Sequence, residues 1–208
     1  MPFRQEILQI NSISIHLLEF DEFEPSTYLD QLTDQEKERF FSFSHPKRRR
    51  EFAATRILRH RVFGFKHIHY DQNGAPYIED EGFISISHAN GIVGIALCKD
   101  YRVGLDLESI DPKAVRLSSK FLSKDEASEL NTQDVIEMTS AWSAKEVLYK
   151  LAGRKEILFK SHLLIKKSSE GFDGTIHNKD HSLKVKLRSF TFGHTIVSVN
   201  SEACEKFN

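Results

Sequence analysis

Cysteine, excess charge of one sign and long apolar runs are all scarce in this sequence, and each shortage removes a class of protein. Two cysteines in 208 residues, Cys98 and Cys204, supply neither a disulfide framework nor a four-ligand zinc site. Cys98 closes an apolar strand-like run and reads as a small buried residue. Lys and Arg number 29 against 30 Asp and Glu, a formal net charge of −1 with histidine neutral. That balance argues against a surface that clings throughout to nucleic acid. The longest apolar block, Gly91–Cys98, falls far short of the roughly 20 residues that cross a bilayer. Met1–Phe20 lacks the basic start and unbroken apolar stretch of a secretory signal. It alternates like a strand instead, with Ile13, Ile15 and Leu17 on one face. A soluble, cytoplasmic protein with no membrane partner is the expectation.

What the sequence does have is apolar bulk. Hydrophobic residues make up 39% and phenylalanine alone fills 16 positions, which excludes disorder and allows a sizeable core. No linker, low-complexity stretch or short-period repeat interrupts it. Thr33-Asp34-Gln35-Glu36 is a capping box opening a helix towards Phe43, and Ser123-Lys124-Asp125-Glu126 is a second one. His45–Arg61 reads as a helix and Asp71–Pro76 as a turn. Phe83–His88, Gly91–Cys98 and Val103–Glu108 read as strands. A helix is expected from an N-cap at Thr132 to Leu151, with Gly153 just beyond it. Strands near Leu183–Phe192 and Thr195–Val199 complete an α+β pattern.

Four segments carry chemistry. In Gly104-Leu105-Asp106-Leu107-Glu108 the two carboxylates lie at i and i+2, so they leave one face of a strand while the leucines enter the core. Two such charges repel unless a cation sits between them, and oxygen-only ligands suit Mg²⁺. Gly104 on the same face is expected to leave room for a ligand. An ordinary solvated strand end is the competing reading.

The second segment runs from Trp142 to Lys150 (WSAKEVLYK). As a helix it buries Ala144, Val147, Leu148 and Leu151, and sets Trp142, Glu146, Tyr149 and Lys150 on the opposite stripe. Glu146 and Lys150 could be a plain i, i+4 ion pair. A tryptophan on that stripe implies that another part of the protein, or a ligand, covers it.

The third is His45–Arg61, with seven Lys and Arg against one Glu. It invites a nucleic-acid reading. Its interleaved Phe52, Ala53, Ala54, Ile57, Leu58 and Val62 bury much of the wheel, however. Arg49, Arg56 and His60 share a spacing that suggests a focused phosphate pocket, which the guanidinium fork suits. The fourth is Ser85-Ile86-Ser87-His88. A Ser87–His88–Asp106 hydrolase is disfavoured, because adjacent Ser and His cannot easily set the imidazole behind the hydroxyl, and no G-x-S-x-G elbow exists.

Taken in order, the Arg-rich helix, N-G-x-P, S-x-S-H, G-x-D-x-E and W-S-x-K-E-x-x-x-K resemble the 4′-phosphopantetheinyl transferases. The resemblance is to the long type that activates surfactin synthetase and similar assembly lines, and it covers Arg48 to Lys155. It implies two similar α/β halves packed as a pseudo-dimer in a monomeric chain. The N-terminal half (1–100) would hold the basic helix and Ser-His motif, and the C-terminal half (101–208) the metal and catalytic motifs.

By that resemblance Asp106, Glu108 and Glu146 hold Mg²⁺ with the diphosphate of coenzyme A. Lys150 contacts a diphosphate oxygen, Ser87 and His88 lie by the nucleotide phosphates, and Lys145 is the motif lysine beside Glu146. One of Arg48, Arg49 or Arg50, with Arg56 as a further candidate, meets the 3′-phosphate. The sequence departs from the family at Ala75, where Lys or Arg often precedes the proline; Lys66 or His67 are the substitutes considered. The implied reaction moves the 4′-phosphopantetheine arm to a serine of an apo acyl or peptidyl carrier protein. Glu146 or a metal-bound water is the candidate base, with Lys150 and Asp106 assisting. The basic, apolar-interleaved segment Pro112–Leu130 is the expected carrier-facing surface. A nucleic-acid-binding module built on residues 45–61 is the alternative.

Overall fold

A computed structural model describes residues 2–153, 156–179 and 181–207. Strands β1 (Phe3–Ile10) and β2 (Ile13–Phe20) form a hairpin, turned by Asn11 with φ +50°. After a 3-10 turn at Pro25–Gln31 come helices α1 (Asp34–Ser42) and α2 (Pro46–Phe63). Four strands follow: β3 (His69–Tyr70), β4 (Pro76–Tyr77), β5 (Phe83–Ala89) and β6 (Ile92–Cys98). Next are β7 (Leu105–Ser109) and helices α3 (Lys113–Phe121), α4 (Lys124–Glu129) and α5 (Val135–Leu151). The chain ends in β8 (Leu163–Ser168), β9 (Gly171–His177), β10 (Ser182–Phe192), β11 (Thr195–Asn200) and β12 (Glu205–Phe207).

The strands form two antiparallel sheets. One runs β1-β2-β6-β5-β4-β3, the other β7-β11-β10-β9-β8 with β12 beside β10. This is the α+β class expected. The layers stack as helix, sheet, sheet, helix. Helix α2 lays Ala54, Ile57 and Leu58 on Leu18, Ile84, Val93 and Ile95 of the first sheet. The other face of that sheet meets Leu105, Leu107, Val197 and Val199 of the second. Helix α5 covers the far side with Met138, Ala144, Val147 and Leu148. The two sheets approach closely at Gly94, where a Cβ would stand 3.0 Å from both Leu107 and Leu17.

Both sides use the same device to fix their long helix. Glu36 closes the capping box of α1 and also accepts hydrogen bonds from Arg59 and Arg56 of α2. Glu126 closes the capping box of α4 and also accepts from Lys145 of α5. Arg59 and Lys145 are each fully buried, and each donates to two main-chain carbonyls as well. A buried cation needs such partners, because desolvation alone would cost several kcal/mol.

Helix α5 begins later than the sequence suggests. Asn131 accepts from Asp134 N and its side chain from Gln133 N, so Thr132 sits inside a turn and Asp134 becomes the N-cap. Gly153 does follow the helix, at φ +87°. Among the described residues no helix is long and apolar enough to cross a membrane.

Candidate functional site

The joint between the two sheets is where the motifs meet. β7 pairs with β11 on one edge, while its other edge faces β5. There the serine hydroxyls of β5 stand in for ladder carbonyls. Ser85 Oγ accepts from Leu105 N at 2.9 Å, and Ser87 Oγ accepts from Leu107 N at 3.1 Å. Ser87 Oγ also donates to Asp106 Oδ1 at 3.1 Å. The S-x-S spacing therefore matches the two-residue repeat of the neighbouring strand.

Helix α5 approaches β7 because Gly104 has no side chain; a Cβ there would lie 3.0 Å from Val147 Cγ1. The space expected for a ligand beside Gly104 belongs to the helix instead. That close approach lets Lys150 reach across. Its Nζ donates to Leu105 O at 2.6 Å, Asp106 Oδ1 at 2.9 Å and Ser87 Oγ at 3.3 Å. Two helical turns earlier, Trp142 Nε1 donates to Glu108 Oε1 at 2.8 Å. Glu146 is half-buried one turn from each of them, so the helix places it between the Asp106 and Glu108 contacts.

The electrostatics are those of a site short of positive charge. Asp106 is 4% exposed, and its Oδ2 is buried with no hydrogen-bond partner. Burial, then the neighbouring Asp106 charge, push the Glu108 carboxyl above its ordinary range, although the Trp142 bond favours its ionised form. His88 lies nearby, with Nδ1 4.0 Å from Glu51 Oε2. Burial holds its imidazole below the ordinary value, and Glu51 pulls the other way. Arg48 reaches the same Glu51 at 3.5 Å.

A cleft of about 330 Å³ opens beside Glu108 and Trp142, lined by Lys113, Leu117, Lys120 and Phe121 of α3. The stripe carrying Trp142 is covered from within the chain. Phe159 stacks on the indole at 5.3 Å and Phe121 meets it edge-on, also at 5.3 Å.

Several residues fall elsewhere than the sequence reading puts them. Lys145 is fully buried, bonded to Glu126, and does not face the cleft. Arg49, Arg56 and His60 do not converge on a pocket. Arg49 Nε donates to Phe43 O at 2.7 Å, Arg56 is held by Glu36 over the Phe52 ring, and His60 packs on Phe65. Arg50 pairs with Glu22, which leaves Arg48 the member of its trio associated with His88. Lys66 pairs with Glu81 at 2.6 Å, and His67 contacts Thr33 Oγ1 at 3.3 Å. Glu51 through Arg59 are buried apart from Phe52, so the accessible basic side chains of α2 lie at its two ends, Lys47 to Arg50 and Arg61. The expected match at Lys155 lies outside the described residues. Sequence reasoning missed Ser85 and Glu51, although the i, i+2 serines were a usable signal.

The sequence model of the 4′-phosphopantetheinyl transferase superfamily matches residues 102–199, the span holding Asp106, Glu108, Glu146 and Lys150. Over that span the chain is similar to that superfamily. It is 28% identical over 154 residues to the 4′-phosphopantetheinyl transferase Sfp of Bacillus subtilis (strain 168), covering 61% of this chain and 68% of the relative. The superfamily match lies within the second sheet and its helices, and the basic helix α2 falls outside it.

Proposed function

We propose that this chain transfers the 4′-phosphopantetheine arm of coenzyme A to a serine of an apo carrier protein, in a Mg²⁺-dependent reaction. The observation that carries the reading is the Ser87–Asp106–Lys150 cluster with Glu108 and Glu146 beside it, at the joint of the two sheets. The oxygen donors fit a hard divalent ion. Asp106 Oδ2 is buried and unpartnered, and Glu108 is unfavourably charged beside it. Among the described residues no three His, Cys, Asp or Glu side chains form a ready cage. Mg²⁺ draws much of its coordination from water and substrate phosphates, so the reading rests on the donor chemistry of Asp106 and Glu108. Asp106, Glu108 and Glu146 would hold it, and when bound it supplies charge neutralisation at the diphosphate.

The chain's own groups account for the remainder. The carrier serine oxygen attacks the β-phosphorus of coenzyme A, and the bond to the leaving α-phosphate oxygen breaks, releasing 3′,5′-adenosine bisphosphate. Glu146 takes the serine proton. Lys150 exchanges Asp106 for a diphosphate oxygen, and His88 with Arg48 flanks the nucleotide phosphates. Lys113 and Lys120 on α3 face an acidic carrier helix, with Leu117 supplying apolar contact.

The test is to incubate the protein with coenzyme A, Mg²⁺ and apo acyl or peptidyl carriers and to follow 3′,5′-adenosine bisphosphate by chromatography. Release that requires both the carrier and the divalent ion supports the reading. Release without a carrier, or undiminished by a chelator, contradicts it.

A further inference from the structure

Lys145 stands in the middle of the most chemically loaded helix and touches none of the site. It is fully buried, and its ammonium donates to Glu126 Oε2 at 2.8 Å, Phe121 O at 2.8 Å and Phe159 O at 3.0 Å. An ammonium has three donors, and all three are used. Glu126 is equally engaged: Oε2 also accepts from Ser123 N at 2.6 Å, and Oε1 from Ile165 N at 2.8 Å. The pair ties α5 to the end of α3, the start of α4, β8 and the segment around Phe159.

The two carbonyls have a consequence for the site. Phe121 and Phe159 are the rings that flank Trp142, one edge-on and one stacked. Trp142 in turn holds Glu108 through its indole N–H. We propose that Lys145 is a positioning residue. By fixing the main chain of both flanking phenylalanines, it sets the indole in the orientation that hydrogen-bonds Glu108. The link to transfer rests on the assignment of Glu108 to the site under the proposed function; the orientation of Trp142 does not.

Trp142 is the single tryptophan of the chain, so its emission reads the clamp directly. Lys145→Met alone leaves Glu126 buried without its cation. The double variant Lys145→Met/Glu126→Gln removes both charges at similar volume and keeps one oxygen to accept a hydrogen bond. In the metal-free, coenzyme-free protein it should show red-shifted emission and greater acrylamide quenching, with native far-UV circular dichroism. Its kcat should fall by about 10- to 100-fold, the range for losing an outer partner of a ligating side chain, with KM for coenzyme A near the parent value. Trp142→Phe keeps a ring in the sandwich and removes the donor to Glu108, so it should show the same split. Unchanged emission in a folded double variant, or parent kcat for Trp142→Phe in a chain that does transfer, would overturn the proposal. An emission shift in a chain that transfers nothing upholds the clamp and instead refutes the proposed function.

Discussion

Asp106 divides its two carboxylate oxygens between opposite tasks. Oδ1 accepts from Ser87 and Lys150, and Oδ2 is buried without a partner. Asp106→Asn keeps the size and removes the charge, so transfer should fall by at least about 100-fold, the loss seen when a preorganised electrostatic group goes. Stability should drop by about 1–3 kcal/mol, because Lys150 loses its carboxylate while partly buried. Calorimetry and initial rates check both, and a variant at parent rate would remove Asp106 from the site. At this scale the sequence showed which residue types carry charge but not which partners they choose. Arg56 reads as a phosphate ligand because its helix is basic, and Lys145 as a site residue because the resemblance makes it the motif lysine beside Glu146. Their partners, Glu36 and Glu126, lie 20 and 19 residues away. Each was already accounted for as the last residue of a capping box, so its second hydrogen-bonding role had no local signature.

At the scale of elements, the two serines of β5 separate structure from chemistry. Ser85 Oγ serves only a main-chain N–H of β7 in the described contacts, whereas Ser87 serves Leu107 N, Asp106 and Lys150. Ser85→Ala should lower stability by about 1–3 kcal/mol through the unsatisfied, buried Leu105 N–H, with kcat near the parent value. Ser87→Ala should lower both. Urea unfolding combined with steady-state kinetics distinguishes them, and equal kinetic losses would contradict the division. Helix α3 gives a second prediction. Lys120→Glu should raise KM for an acidic carrier, more at low than at high salt, with KM for coenzyme A unchanged. Identical carrier kinetics across a salt series would move the docking surface elsewhere. Most elements were legible where caps and alternation were strong, as at α1, α4, β5 and β6. The α5 start was not, because the Asn131 side chain builds a turn that displaces the N-cap to Asp134. Gly104 reads in the sequence as room for a ligand, and only the packing shows that Val147 fills that space.

At the scale of the molecule, two antiparallel sheets stacked face to face between two long helices place the site at their seam. The paired use of a capping-box glutamate and a buried cation appears once on each side of that seam, a likeness that Arg in one place and Lys in the other conceals in the sequence. Histidines set the acid response. Burial holds His16, His67 and His88 below the ordinary value of 6.5. As pH falls through that value the unfolded chain binds protons that the folded chain refuses, so stability is full above it and is lost on acidification. The melting temperature should therefore fall between about pH 7.5 and 5.5, and His16→Gln should flatten part of the slope. Glu108 works in the opposite sense, its raised pKa favouring the folded state as it protonates, and that gain should lie mainly nearer the carboxylate range. A melting temperature that stays level or rises over that interval would contradict the histidine assignment.

The proposed function places phosphopantetheine transfer at the seam between the sheets. Its most direct measurement is the intact mass of an apo carrier protein after incubation with the chain, coenzyme A and Mg²⁺, beside a parallel reaction with Asp106→Asn. One added phosphopantetheine on the carrier serine is expected with the parent chain, and at least about 100-fold slower addition with the variant. A carrier that stays apo with every acyl and peptidyl type tried, or is modified equally by the variant, would contradict it.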